Sequence, residues 1–223
     1  MKAGRPTRAP GERAGIEAEA VLAAALRAYK RHGLAGLTMR SVAGELRVAP
    51  NALYSHVKSK EGLVDAVIDA LLGDVEIPDP SMEWRESLVE LMSAARTVVL
   101  RNAELMPFFL SRPTRGPNAL RLGESTLQFL SRGGIRDEAA VASLRILLVY
   151  AIGFAAQEAP RRADPSGGKR QAESVRVYAS ARDRPHLQAL AVPLARHPDD
   201  TTFRTGLKWL IDGISNTFGG GSQ

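Results

Sequence analysis

The sequence predicts an all-α fold: an N-terminal helix-turn-helix three-helix domain joined by a linking helix to a larger helical domain. Three observations carry this. Apolar residues recur at three- and four-residue spacing through successive segments. Gly and Pro punctuate those segments where helices would stop and start. The stretch Leu37 to Lys60, LTMRSVAGELRVAPNALYSHVKSK, reads as two short helices about a tight turn.

Residues 1–14, rich in Gly, Pro and Arg, are expected to be a flexible basic tail. Arg5, Arg8 and Arg13 there are either an arm for a DNA backbone or minor groove or idle solvated charge. The first helix is expected from Ile16 to His32, with Ile16, Ala20, Leu22, Ala23, Leu26 and Tyr29 buried and Gly33 ending it; His32 in the last turn suits the helix dipole. Thr38 N-caps the second helix, on which Val42, Ala43 and Leu46 share a face. Arg47-Val48 make the turn. Pro50 opens the third helix, where its missing N–H is no loss, and Leu53 and Val57 bury. Ser59 caps the linking helix, Lys60 to Gly73, with Leu63, Val67, Leu71 and Leu72 inward. Two prolines in Asp74 to Pro80 place the domain boundary, giving residues 15–73 and 74–223.

The second domain is expected to hold helices from Ser81 to Leu100, Ala103 to Leu110, Asn118 to Ser131, Asp137 to Gln157, His186 to Ala195 and Asp199 to Phe218. The Asp137 segment is apolar on more than one side, which predicts burial. Residues 159–185 lack a clear period and read as a mobile loop. Phe203, Leu207, Leu210, Ile211, Ile214 and Phe218 form a stripe that fits either a dimer bundle or packing within one subunit.

With 223 residues the chain should bury about 70% of its unfolded surface, and it has no cysteine, so neither disulfides nor thiolate metal sites arise. No secretory h-region opens it, and polar residues break the later apolar runs, which predicts a cytoplasmic protein without a membrane span. Residues 1–60 hold 11 Lys/Arg against 4 Asp/Glu, whereas residues 61–223 hold 19 against 20. The basic excess therefore belongs to the helix-turn-helix end, as a nucleic-acid partner requires. Asn51, Ala52, Tyr54, Ser55 and His56 occupy the free faces of the third helix; Thr38, Tyr54 and Lys60 are candidates for phosphates, and Arg40, Asn51 and His56 for base edges.

The run Gly36-Leu37-Thr38, Val42-Ala43 and Leu53-Tyr54-Ser55-His56-Val57-Lys58-Ser59-Lys60-Glu61-Gly62-Leu63 resembles the DNA-binding domain of the tetracycline-repressor (TetR) family over roughly residues 15 to 72. Arg47 departs from it, because the family often has glycine there; a positive φ at this position would strain arginine. The resemblance implies a homodimer on a palindromic operator, a linking helix whose tilt sets the spacing of the two heads, and a C-terminal domain that binds a small-molecule effector and dimerises. Trp84, Leu88, Met92, Met106, Phe108, Phe109, Phe129, Tyr150, Phe154 and Gln157 are the residues expected near that pocket. Aligning Arg112 to Thr114 with the tetracycline-binding members puts their metal-ligating histidine on Phe108 and their drug-gripping asparagine on Leu91. Neither carbon side chain offers a lone pair, so a rather apolar effector and no metal or cofactor are expected.

The expected function is thus a ligand-responsive transcriptional regulator, more a repressor than an activator. A DNA-binding dimer without an effector is the alternative. A helical enzyme is disfavoured: His32, His56, His186 and His197 make no metal pair, no nucleophile elbow or phosphate loop occurs, and Asp65 and Asp69 read as a solvated acidic face.

Overall fold

The computed structural model describes residues 17–111, 115–162 and 166–219. The tail at 1–14, Ile16 and the segment 112–114 lie outside them. The described residues are 79% helical, with no strand among them. It divides into two compact units between Ile68 and Asp69, inside a continuous helix.

In the first unit, α1 (Ala18–Gly36) buries Val21, Ala24, Ala25, Ala28 and Tyr29. Only Tyr29 belongs to the anticipated stripe. The buried face is set by alanines, whose small side chains give a hydropathy count little weight but let a neighbouring helix come close. Gly33, at φ 64°, breaks the helix as expected, and one further turn follows to Gly36. In α2 (Met39–Leu46), Thr38 Oγ1 accepts from the Ser41 amide at 3.1 Å while Ser41 Oγ accepts from the Thr38 amide at 3.0 Å, a closed capping box. Glu45 of α2 takes Arg27 and Arg31 of α1 at 3.3 and 2.5 Å, an exposed pairing worth little.

Arg47 ends α2 at φ 56°, ψ 42°, with its amide donating to the Ala43 and Gly44 carbonyls. The turn thus needs the left-handed conformation that the departure from glycine put in question. An L-residue pays about 1–2 kcal/mol there. Arg47→Gly is expected to stabilise the head by roughly 0.5–1 kcal/mol after the entropy cost of glycine is deducted; urea unfolding with an unchanged or lower midpoint would show that the arginine side chain offsets its own strain.

The segment after Pro50 is a 3-10 helix, Pro50–Ser55, and not an α-helix. Leu53 is fully buried and Val57 half-buried. The linking helix, α3 (Lys60–Leu72), starts on Ser59, whose Oγ accepts from the Gly62 amide at 3.1 Å, and buries Leu63, Val67, Leu71 and Leu72.

The second unit is built around α4 (Trp84–Arg101), which packs on α6 (Pro117–Arg132), α7 (Asp137–Arg162) and α11 (Asp200–Phe218). Glu83, and not Ser81, caps α4: its carboxylate accepts from the Arg85 and Glu86 amides at 2.8 and 3.2 Å, while Ser81 is held by Asp79. The 3-10 turn Ala103–Leu105 and α5 (Met106–Ser111) follow α4.

Burial departs from expectation in three places. The central helix is α4, whereas α7 leaves Val141, Ile146, Leu148 and Val149 40–72% exposed. Its segment Asp137–Pro160 is long and apolar enough, by length and composition, to cross a membrane, contrary to the reading of broken apolar runs. In α11 the stripe splits: Phe203, Leu207, Ile211 and Ile214 bury within the subunit, Leu210 is half-buried and Phe218 stays 43% exposed, while Trp209, outside the stripe, is 73% exposed. Finally, the stretch read as a mobile loop contains α8 (Gly167–Ala179), which packs on the short α9 (Pro185–Ala189) and α10 (Ala191–Ala195). None of its residues is buried, so no apolar stripe announced it.

Candidate functional site

The first unit presents a polar surface on the short helix. At three residues per turn its side chains form three rows. Leu53 anchors one row in the core, and His56 continues it as the C-cap; Asn51 and Tyr54 make the second, Ala52 and Ser55 the third. Asn51, Tyr54, Ser55 and His56 are exposed, as are Arg40 and Lys60, and Ala52 is half-buried. Tyr54 keeps 52% of its surface. Two hydroxyls are partly committed: Ser55 donates to the Ala52 carbonyl at 3.0 Å, and Thr38 is held in the capping box. Extended polar side chains around a buried leucine pivot are what a groove reader needs.

The second unit encloses an apolar cavity of about 290 Å3. Its walls are Leu72 from the end of α3; Leu91, Met92, Ala95, Arg96 and Val99 from α4; Phe109 from α5; Ala119, Leu122, Gly123 and Thr126 from α6; and Leu144, Leu148, Ala151 and Ile152 from α7. Of the ten residues expected near a ligand, Met92 and Phe109 line it. Leu88 and Phe129 are core, and Met106 packs with Val99 and Ala155. Phe108 is half-buried outside the lining, Gln157 is exposed, and Trp84 lies under the Arg85 guanidinium at 4.4 Å and against Gly133. Tyr150 stacks on Phe203 at 5.3 Å, and Phe154 meets Phe203 edge-on at 5.1 Å. The rings fill space against one another, and aliphatic residues are left to bound the hollow.

Arg96 is the one charged lining residue. Its side chain is 3% exposed, with Nε and NH2 donating to Glu158 Oε2 at 3.0 and 2.5 Å and NH1 to Asp200 Oδ1 at 2.8 Å. The Phe154 and Phe203 rings lie 5.2 and 4.5 Å from the guanidinium carbon. Asp200 also takes Arg204 at 3.0 Å, and Arg204 reaches Glu90 through two bonds at 2.6 and 3.1 Å. Those bonds hold the Glu90 carboxyl below its usual range and push Arg204 up. Burial raises Tyr150, keeping it a neutral phenol that donates to the Phe203 carbonyl at 3.0 Å.

One further cluster ties α3 to the cavity wall. Asp69, 7% exposed, accepts from the Ala119 amide at 2.9 Å, the Asn118 amide at 3.2 Å and Asn118 Nδ2 at 3.3 Å, so that it caps α6 from another helix. Arg121 returns the contact. Its NH2 donates to the carbonyls of Leu72, Gly73 and Val75 at 3.4, 3.4 and 3.1 Å, at the negative end of α3. Gly116 makes room for this: a Cβ there would stand 2.1 Å from Asp69 Cγ. Asp69 is thus a buried cap and not part of a solvated acidic face. Its partners lie 49 and 50 residues away, so nothing local in the sequence marked it.

The description "Bacterial regulatory proteins, tetR family" matches residues 21–67, and "Tetracyclin repressor-like, C-terminal domain" matches residues 77–218. The chain is 30% identical to the class G tetracycline repressor protein of Vibrio anguillarum over 198 residues, 87% of this chain and 91% of that one. It is 29% identical to an HTH-type transcriptional repressor of Streptomyces coeruleorubidus over 221 residues, 94% of this chain and 80% of that one. Among solved structures, ActR of Streptomyces coelicolor in complex with actinorhodin superposes with a TM-score of 0.83 at 28% identity, covering 94% of this chain and 100% of that one. Two family descriptions, each falling on one end of the chain, and relatives matched over most of their length lead to one assignment: the chain belongs to the TetR family of transcriptional regulators, ligand-responsive DNA-binding proteins that act as dimers.

Proposed function

We propose that the protein is a cytoplasmic repressor, acting by binding and without catalysis, that leaves a palindromic operator when a small, rather apolar molecule fills the cavity. Residues 15–73 serve as the reading head and residues 74–223 as the effector and dimer domain. Thr38, Tyr54 and Lys60 hold phosphates; Arg40, Asn51 and His56 read base edges, with Ala52 and Ser55 against the groove. Of the effector residues inferred from sequence, Met92 and Phe109 are retained. The uncovered apolar faces of α7 and α11, with Val141, Val149, Trp209 and Phe218, are where the partner packs.

The observation that carries the reading is that Leu72, at the end of α3, and α6 both bound the cavity while Asp69 and Arg121 bind those two helices together. A molecule that favours one placement of α6 therefore biases α3, which continues from the head, and lowers DNA affinity by its differential affinity for the two states. That ActR is found in complex with actinorhodin supports a small-molecule effector.

Selection of binding sites from random duplex DNA, then titration of the enriched site with and without apolar ring compounds, tests this. A palindrome, released by at least one such compound, is expected. Binding without any palindromic preference would defeat the proposal. Lys60→Ala should weaken all sequences alike and reduce the slope of log affinity against log salt by about one. A changed base preference at an unchanged slope would move Lys60 from the phosphates to the bases.

A further inference from the structure

We infer that the molecule this cavity takes is an uncharged, largely apolar compound bearing a hydrogen-bond acceptor oxygen, which Arg96 receives; the inference rests on the cavity being the effector site. Apart from Arg96 and Thr126, the walls offer carbon surface. Arg96 has five N–H groups. Among the described residues, Nε, one N–H of NH1 and one of NH2 are engaged by Glu158 and Asp200, which leaves two. Phe154 and Phe203 lie against the guanidinium, so an acceptor reaches those groups along its edge. Buried donors without an acceptor are costly, and a ligand oxygen removes that cost.

Charge decides between a carbonyl and a carboxylate. Glu158, whose side chain is 11% exposed, already balances Arg96, and Asp200 adds a second negative charge at 63% exposure. Arg204, the other cation on Asp200, is itself held by Glu90, so among the described residues no positive excess remains to offset the desolvation of an anion among aliphatic walls. Thr126 adds no donor, because its hydroxyl donates to the Leu122 carbonyl at 2.8 Å. A ketone, quinone or lactone oxygen suits this site, and a carboxylate does not.

Calorimetric titration of the full-length protein with 1-tetralone, tetralin and 1-naphthoate separates the cases: similar rings, with a neutral acceptor, none, and an anion. The ketone should bind at least about tenfold tighter than the hydrocarbon, and tighter than the acid. In the double variant Arg96→Met/Glu158→Gln the ketone's advantage should shrink to within about threefold. Arg96→Lys, which keeps the charge beside Glu158 but not the planar fork, should give an intermediate ratio and serves if the double variant does not fold. Equal binding of ketone and hydrocarbon, or a ratio unmoved by either variant, would overturn the inference and leave the apolar cavity standing as a ligand site. Tightest binding by 1-naphthoate would overturn the exclusion of anions. Silence from all three would overturn the inference together with the reading of the cavity as an apolar-ligand site.

Discussion

Arg96→Met is expected to cost about 3–5 kcal/mol of stability, the largest effect of any single substitution considered for this chain. The value follows from burial. Arg96 and Glu158 are 3% and 11% exposed, so truncating the cation removes two charge-assisted bonds from a carboxylate that has little water to turn to. Arg204 and Glu90 share a geometry at least as good, two bonds at 2.6 and 3.1 Å, yet they are 36% and 46% exposed. Arg204→Ala should therefore cost under about 1 kcal/mol. Adding Glu158→Gln to Arg96→Met should recover a good part of the loss, because the buried carboxylate that lost the guanidinium goes with it. Urea midpoints for the three variants decide the matter; near-equal losses for Arg96 and Arg204 would mean that burial does not set the scale here.

The second large effect belongs to Asp69. Asp69→Ala removes the acceptor for two α6 amides and one side-chain amide, which should cost about 2 kcal/mol. It should also change the response to ligand. With α3 released from α6, the drop in operator affinity on adding an effector should shrink by about tenfold relative to the wild-type drop. Arg121→Met, which frees the carbonyls of Leu72, Gly73 and Val75, should act in the same direction with less loss of stability. Operator titrations with and without ligand provide the readout. A variant that is less stable but keeps the full ligand-induced drop would place the coupling elsewhere.

The helices were legible because their signals are local. Thr38, Pro50 and Ser59 mark starts within a few residues of the feature they cause. Arg47 was legible in a subtler way: a position where glycine is usual pointed to positive φ, and the backbone has it. Features that depend on distant partners were not. Arg96 meets Glu158 and Asp200 from 62 and 104 residues away, so α4 looked like any helix with a basic residue in it. Of the residues expected near an effector, Tyr150 and Phe154 pack with each other and with Phe203 and do not line the hollow. The central place of α4 was hidden for the opposite reason: α7 is the more apolar helix, and its apolarity serves a surface that a single subunit leaves bare.

That bare surface has a consequence for how the regulator responds to its own abundance. Where a twin covers Val149 and Trp209, as proposed above, these side chains, 72% and 73% exposed in the single subunit, leave water on pairing, and the thermal midpoint should rise with protein concentration. When subunits are scarce, the paired form grows as the square of the total, and occupancy of a two-fold site grows with it. A modest change in expression would then act as a steep switch, and the threshold would lie with the α7 and α11 faces, not with the residues that touch DNA.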